Sequence, residues 1–240
     1  MSLKKYIPDF ITCLNLACGV SGIVFAFKGR FDVAFPLMLA GALFDFLDGL
    51  AARLLDAYSP LGKELDSLCD VVTFGVLPSV MLYNLACICS FGEYIWCWTP
   101  LLIAVFSALR LAKFNVDERQ HESFLGLPTP ACAMLSGAIC YFVASSQFSF
   151  LADWCAGPVF IPVYSVVMSA LLVCEIPMFS IKFGGAEADR TTRIKRITFF
   201  ILVAATVIVT VLMKWNWSAI VLLVMTIYIV KNLVYAVMKL

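Results

Sequence analysis

Asp45, Asp48, Asp66 and Asp70 are the residues of this chain best suited to chemistry. They occur in the stretch Asp45-Phe-Leu-Asp48-Gly49-Leu-Ala-Ala52-Arg53, followed after eight residues by Gly62-Lys-Glu-Leu-Asp66-Ser-Leu-Cys-Asp70. The surroundings are apolar, and a carboxylate at membrane depth costs about 2.5–3.5 kcal/mol on insertion scales. Four of them together need a shared compensation, and one or two divalent cations supply it. On a helix, Asp45 and Asp48 (i, i+3) point the same way, as do Asp66 and Asp70 (i, i+4). Two helices facing each other with such pairs form an oxygen cage of the kind Mg²⁺ or Mn²⁺ takes.

The elements that must hold these acids are membrane helices. The chain is 62% hydrophobic and 14% charged, against roughly half and a quarter in soluble domains. Apolar runs of the length that crosses a bilayer recur near 8–28, 32–52, 66–90, 95–113, 128–148, 157–177, 196–213 and 216–238. The fold class expected is therefore all-α, a polytopic membrane bundle of about eight transmembrane helices in one domain, 1–240. Lys4 and Lys5 precede the first run as in a signal peptide. Asp9 interrupts it, however, and Phe27-Lys28-Gly29-Arg30 lacks a cleavage site, so the helix is read as retained. With the N-terminus inside, fourteen of the seventeen lysines and arginines fall on the cytoplasmic side and only Lys28, Arg30 and Lys214 on the other. Both termini and the aspartate stretch are then cytoplasmic. The net charge of +1 hides this asymmetry.

The remaining chemistry is sparse. Ten cysteines are scattered through apolar segments without a C-x-x-C pair, and they read as small buried hydrophobes. His121 is the single histidine, in the polar run 115–123, and reads as a solvated loop residue. No internal repeat suggests an inverted-repeat transporter. Gly49 and Ala52 lie on the helix face that carries Asp45 and Asp48, where their small size leaves room for a ligand or for the close packing of a neighbouring helix. Gly62 is read as allowing a backbone conformation that starts the third helix beside the second.

The eight fixed positions from Asp45 to Asp70 resemble the signature of the CDP-alcohol phosphotransferase family, D-x-x-D-G-x-x-A-R-x8-G-x3-D-x3-D. The resemblance implies a membrane enzyme that moves a substituted phosphate from a CDP-linked donor to an alcohol and releases CMP. It implies two ions, Mg²⁺ or Mn²⁺, held by Asp45, Asp48, Asp66 and Asp70, with Asp70 also the catalytic base. The CDP and phosphate contacts fall on Asp45, Gly49, Ala52, Arg53 and Gly62. Residues 1–185 correspond to a six-helix catalytic core, and 186–240 read as an appended C-terminal hairpin without chemistry of its own.

The flanks Asp70-Val-Val-Thr73-Phe-Gly75-Val-Leu-Pro78, Leu109-Arg110-Leu-Ala-Lys113-Phe-Asn115 and Phe124-Leu-Gly126-Leu-Pro128 resemble the phosphatidylserine synthase branch. So does the opening pattern Pro8, Thr12, Asn15 and Gly19. That branch implies CDP-diacylglycerol and L-serine as substrates, CMP as a product, membrane lipids as surroundings and a homodimer. It also implies a prokaryotic-type cytoplasmic membrane, and no nucleic-acid partner is expected. Arg110, Lys113 and Asn115 are the candidates for holding the acceptor or a phosphate. Lys113 stands where relatives carry arginine, which keeps the charge and loses bidentate pairing. The alternative is the same reaction with another acceptor, such as glycerol 3-phosphate or inositol phosphate.

Overall fold

A computed structural model describes residues 6–116, 124–145, 149–178 and 190–237. Lys4, Lys5, Arg119, His121, Lys182 and Lys239 lie outside these residues, as does the 185/186 boundary. The described chain forms α1 (Tyr6–Phe27), α2 (Phe31–Leu54), α3 (Pro60–Asp70), a π-helical turn (Val71–Val76), α4 (Leu77–Cys89) and a short 3₁₀ turn (Ile95–Trp98). It continues through α5 (Leu101–Val116), α6 (Thr129–Ser145), α7 (Ser149–Ala156), α8 (Phe160–Val173), α9 (Arg190–Leu212) and α10 (Ser218–Val237). Among the described residues, five helical stretches are long and apolar enough to cross a membrane: Tyr6–Phe27, Phe31–Leu54, Pro60–Cys89, Ile95–Val116 and Ser218–Tyr235. Thr129–Ser145, Phe160–Val173 and Leu202–Leu212 are shorter apolar helices. The architecture is the polytopic helix bundle that the apolar runs require.

The third span differs from its sequence reading. It starts at Pro60 and not near residue 66, because local chemistry sets its beginning. Ser59 is extended (φ −139°, ψ 146°), and its Oγ accepts from the Gly62 N–H at 2.9 Å. Pro60 then occupies the first helical turn, where its missing N–H is no loss. The polar first two turns of α3 thus project ahead of the apolar segment and carry Asp66 with them. Beyond Asp70 the helix widens into the π turn over Val71–Val76 and resumes at Leu77-Pro78. Pro78 cannot donate to the preceding turn, and its ring would crowd a regular α register there.

The core is built from α2, the π turn, α4 and α6. Phe31, Phe35, Met38, Phe74, Leu77, Met81 and Leu82 are fully or nearly fully buried. A two-residue antiparallel ladder, Phe124–Leu125 against Pro177–Met178, is the one departure from an all-helical chain among the described residues. It straps the segment before α6 onto the end of α8. Gly126 sits at φ 78° with its N–H donating to the Ile176 carbonyl at 2.9 Å, a conformation that favours glycine. The C-terminal helices do not hang apart as an appendage: α10 packs on α6 as well as on α9. At the α1–α2 turn, Arg30 donates to Asp32 at 2.8 and 2.9 Å, and this contact raises the guanidinium pKa above its ordinary value.

Candidate active site

Helices α2 and α3 bring Asp45, Asp48 and Asp66 together, with one carboxylate oxygen from each within 4.8 Å of the others. Asp48 is buried, while Asp45 and Asp66 are half-buried. The ion pairs among the described residues are Arg30–Asp32 and Lys113–Glu175, so no lysine or arginine bridges to the cluster. Asp66 Oδ1 is buried and meets no hydrogen-bond donor. A carboxylate oxygen left in that state is costly unless a cation occupies the space before it. The all-oxygen donor set therefore fits a hard divalent ion.

Asp70 lies beside this cluster and not in it. One turn deeper on α3, it is buried and accepts from Asn15 Nδ2 at 3.2 Å through Oδ1. Asn15 belongs to α1, as does Thr12, whose Oγ1 donates to Asp48 Oδ2 at 2.6 Å. The first helix thus orients two of the four aspartates. Its approach depends on small residues: a Cβ on Gly41 would lie 2.7 Å from Thr73 Cγ2 and 2.9 Å from Asn15 Oδ1. Thr73 Oγ1 in turn donates to the Asn15 carbonyl at 3.2 Å. Sequence reasoning gave Thr12 and Asn15 no role in the site. Their signal is present as two polar residues at i, i+3 after Pro8-Asp9 in a mostly apolar helix.

A cavity of about 560 Å³ opens beside the acids, lined by Asp48 and Asp66 and by Pro8, Asp9, Thr12, Gly49, Ala52, Ala57, Tyr58, Ser59, Pro60, Gly62 and Lys63. Gly49 faces open space, with nothing within 4 Å of where its Cβ would be. Gly62 has a different role from the one its sequence position suggests. Its φ is not positive, and α3 passes through it as a regular helix. What it supplies is room, since a Cβ there would sit 2.9 Å from Asp9 Oδ1 and 3.0 Å from Ser59 Oγ. Arg53 is exposed at the end of α2 and does not line the cavity, whereas Lys63 does. Lys63 and Asp9 are charged cavity residues to which the sequence reading assigns no role in the site.

The three residues considered for the acceptor do not stay together. Arg110 is 7% exposed and donates from Nη1 to Thr129 Oγ1 at 2.8 Å, while its buried Nε finds no partner. It is within electrostatic range of Asp70. Lys113 turns outward to an exposed pair with Glu175 at 3.0 Å. Asn115 is used structurally, its Nδ2 donating to Ser67 Oγ at 2.8 Å and its carbonyl accepting from Lys63 Nζ at 3.4 Å.

Known proteins resemble this chain over the same region. The CDP-alcohol phosphatidyltransferase family model matches residues 5–176. A CDP-diacylglycerol–serine O-phosphatidyltransferase of Bacillus subtilis is 32% identical over 183 residues, covering 76% of this chain and 95% of that protein. Enzymes of the same name from Mycobacterium tuberculosis and Methanocaldococcus jannaschii are each 35% identical. The matches cover 72% and 60% of this chain, and 61% and 66% of those proteins.

Proposed function

The chain belongs to the CDP-alcohol phosphatidyltransferase family, and from that premise we propose that it transfers the phosphatidyl group of CDP-diacylglycerol to L-serine, forming phosphatidylserine and CMP. The observation that carries the reading is the carboxylate triad of Asp45, Asp48 and Asp66, of which Asp48 and Asp66 line a cavity together with Gly49. Asp45, Asp48 and Asp66 would hold Mg²⁺ or Mn²⁺, two ions by family resemblance, with Asp70 at the edge of the cage. Metal held there would supply positive charge to offset that of the donor's pyrophosphate and of the departing CMP. Gly49 and Ala52 admit the cytidine end of the donor, and Lys63 supplies a cation at the cavity wall, in the place first considered for Arg53.

Asp70 takes the proton. Asn15 fixes one of its oxygens, which leaves the other to receive hydrogen from the serine hydroxyl as that oxygen bonds to phosphorus and the bond to CMP breaks. Arg110 holds the serine carboxylate, because its unpartnered Nε offers a buried donor within electrostatic range of Asp70. The active site faces the cytoplasm by the distribution of basic residues, and 1–185 form the catalytic core.

Glycerol 3-phosphate and inositol phosphate carry a dianionic group and call for several cations. Arg110 is one buried cation, and Lys113 is paired elsewhere. Purified protein given CDP-diacylglycerol and each acceptor in turn should release CMP with L-serine. Faster release with either phosphorylated alcohol would sink this assignment.

A further inference from the structure

The family match ends at residue 176, before the last two helices. Yet α10 is built into the core. Asn216 Nδ2 donates to Ser145 Oγ at 3.2 Å, and Trp217 Nε1 donates to Tyr141 Oη at 3.3 Å. The Trp217 ring also stacks on Phe35 of α2, with centroids 5.4 Å apart. The start of α10 therefore meets the end of α6, and the two helices run antiparallel in a defined register. Eleven residues, about three turns, separate Trp217 from Tyr228 on α10. Three turns back from Tyr141 along α6 lie Pro130 and Thr129. Tyr228 is thus level with Thr129, the residue to which Arg110 donates.

Burial agrees with this register. Tyr228 is 8% exposed and Arg110 7%, and the phenol and guanidinium interact electrostatically. Helix α10 also touches the Pro177–Met178 strand, whose partner strand leads into Thr129. Arg110 is held by the Thr129 hydroxyl and lies over the Phe114 ring at 6.0 Å from its centroid, and a further polar support would fix the face that its planar fork presents. The geometry points to Tyr228 as that support: it is a positioning residue that orients Arg110 toward the acceptor's carboxylate, and it makes α10 part of the acceptor site. The inference rests on the reading of Arg110 as the carboxylate ligand.

Tyr228→Phe removes the hydroxyl and keeps the ring. We expect it to raise the KM for serine about tenfold, the scale of one hydrogen bond to a charged group. The KM for CDP-diacylglycerol, kcat at saturating serine and the melting temperature should stay within the scatter of the wild type. An unchanged serine KM would overturn the proposal. So would a parallel loss of donor affinity, kcat and thermal stability, which is what a purely structural tyrosine gives. If the phenylalanine variant does not fold, 4-fluorophenylalanine at position 228 fills the hydroxyl's volume with a much weaker acceptor, and the same two outcomes apply. Wild-type protein that releases no CMP with serine would instead sink the assignment of the reaction, and this proposal with it.

Discussion

The proposed donor side and the proposed acceptor side are built in opposite ways. The donor side is local: Asp45, Asp48, Gly49 and Ala52 sit on α2, and Gly62, Asp66 and Asp70 follow on α3 after a short turn. The proposed acceptor side draws on α5, α6 and α10, through Arg110, Thr129 and Tyr228, a set spread over more than a hundred positions of sequence. Groups that bind a metal and a pyrophosphate must keep a fixed mutual spacing, and helix periodicity supplies it within one stretch. A pocket for a small zwitterion needs only one oriented cation, which any neighbouring helix can support.

Breaking the donor side should cost most. Asp66→Ala removes one carboxylate of the triad, and CMP release should fall by more than about 10⁴-fold, beyond what loss of a general base costs. Donor and metal affinity should fall with it. Asp70→Asn should cost about 10²–10⁴-fold in kcat while donor binding largely survives, since Asp70 stands beside the triad and is tied to Asn15. Measured across a metal titration, near-normal turnover of Asp70→Asn at saturating metal would remove Asp70 from its role.

A milder change sharpens the donor side alone. Nothing lies within 4 Å of a Cβ at Gly49, so Gly49→Leu should leave the melting temperature unchanged while its side chain fills the cavity. The KM for CDP-diacylglycerol should rise at least about tenfold, as crowding a packed site costs about 1–3 kcal/mol. The serine KM should not move, and a shift in it would show that the two sides overlap at Gly49.

On the acceptor side, Lys113→Ala should have the smallest effect. Its partner Glu175 is exposed, and surface ion pairs contribute about 0–1 kcal/mol. Serine KM and stability should stay within about threefold and a few degrees of the wild type. A large rise in serine KM would return Lys113 to the acceptor pocket.

The same contrast decides what could be read from sequence. The acids, the glycine at 49 and the places of the apolar helices follow from spacing and composition, because each is a property of one segment, although among the described residues five helices and not eight are long enough to cross a membrane. The early start of α3 was also encoded locally, by Ser59 and Pro60, but its polar turns hid it from a search for apolar runs. Thr12 and Asn15 were visible as polar residues in a greasy helix, yet only packing of α1 against α2 and α3 shows which carboxylates they meet. Gly62 illustrates a wrong physical reason at the right place, since smallness and not backbone freedom is what Asp9 and Ser59 require. Lys113 and Asn115 were grouped with Arg110 by nearness in sequence, and side-chain direction separates them. Tyr228 carries no local signal, because its partner is reached only across the α6–α10 interface.

The central claim is that carboxylates of α2 and α3 hold the metal that makes transfer to serine possible. It is tested most directly by following CMP release from CDP-diacylglycerol and L-serine after exhaustive chelation, then after adding back Mg²⁺ or Mn²⁺. The account predicts no release without metal and recovery with either ion in the wild type, with no recovery in Asp66→Ala. Undiminished release from the metal-stripped protein would contradict it.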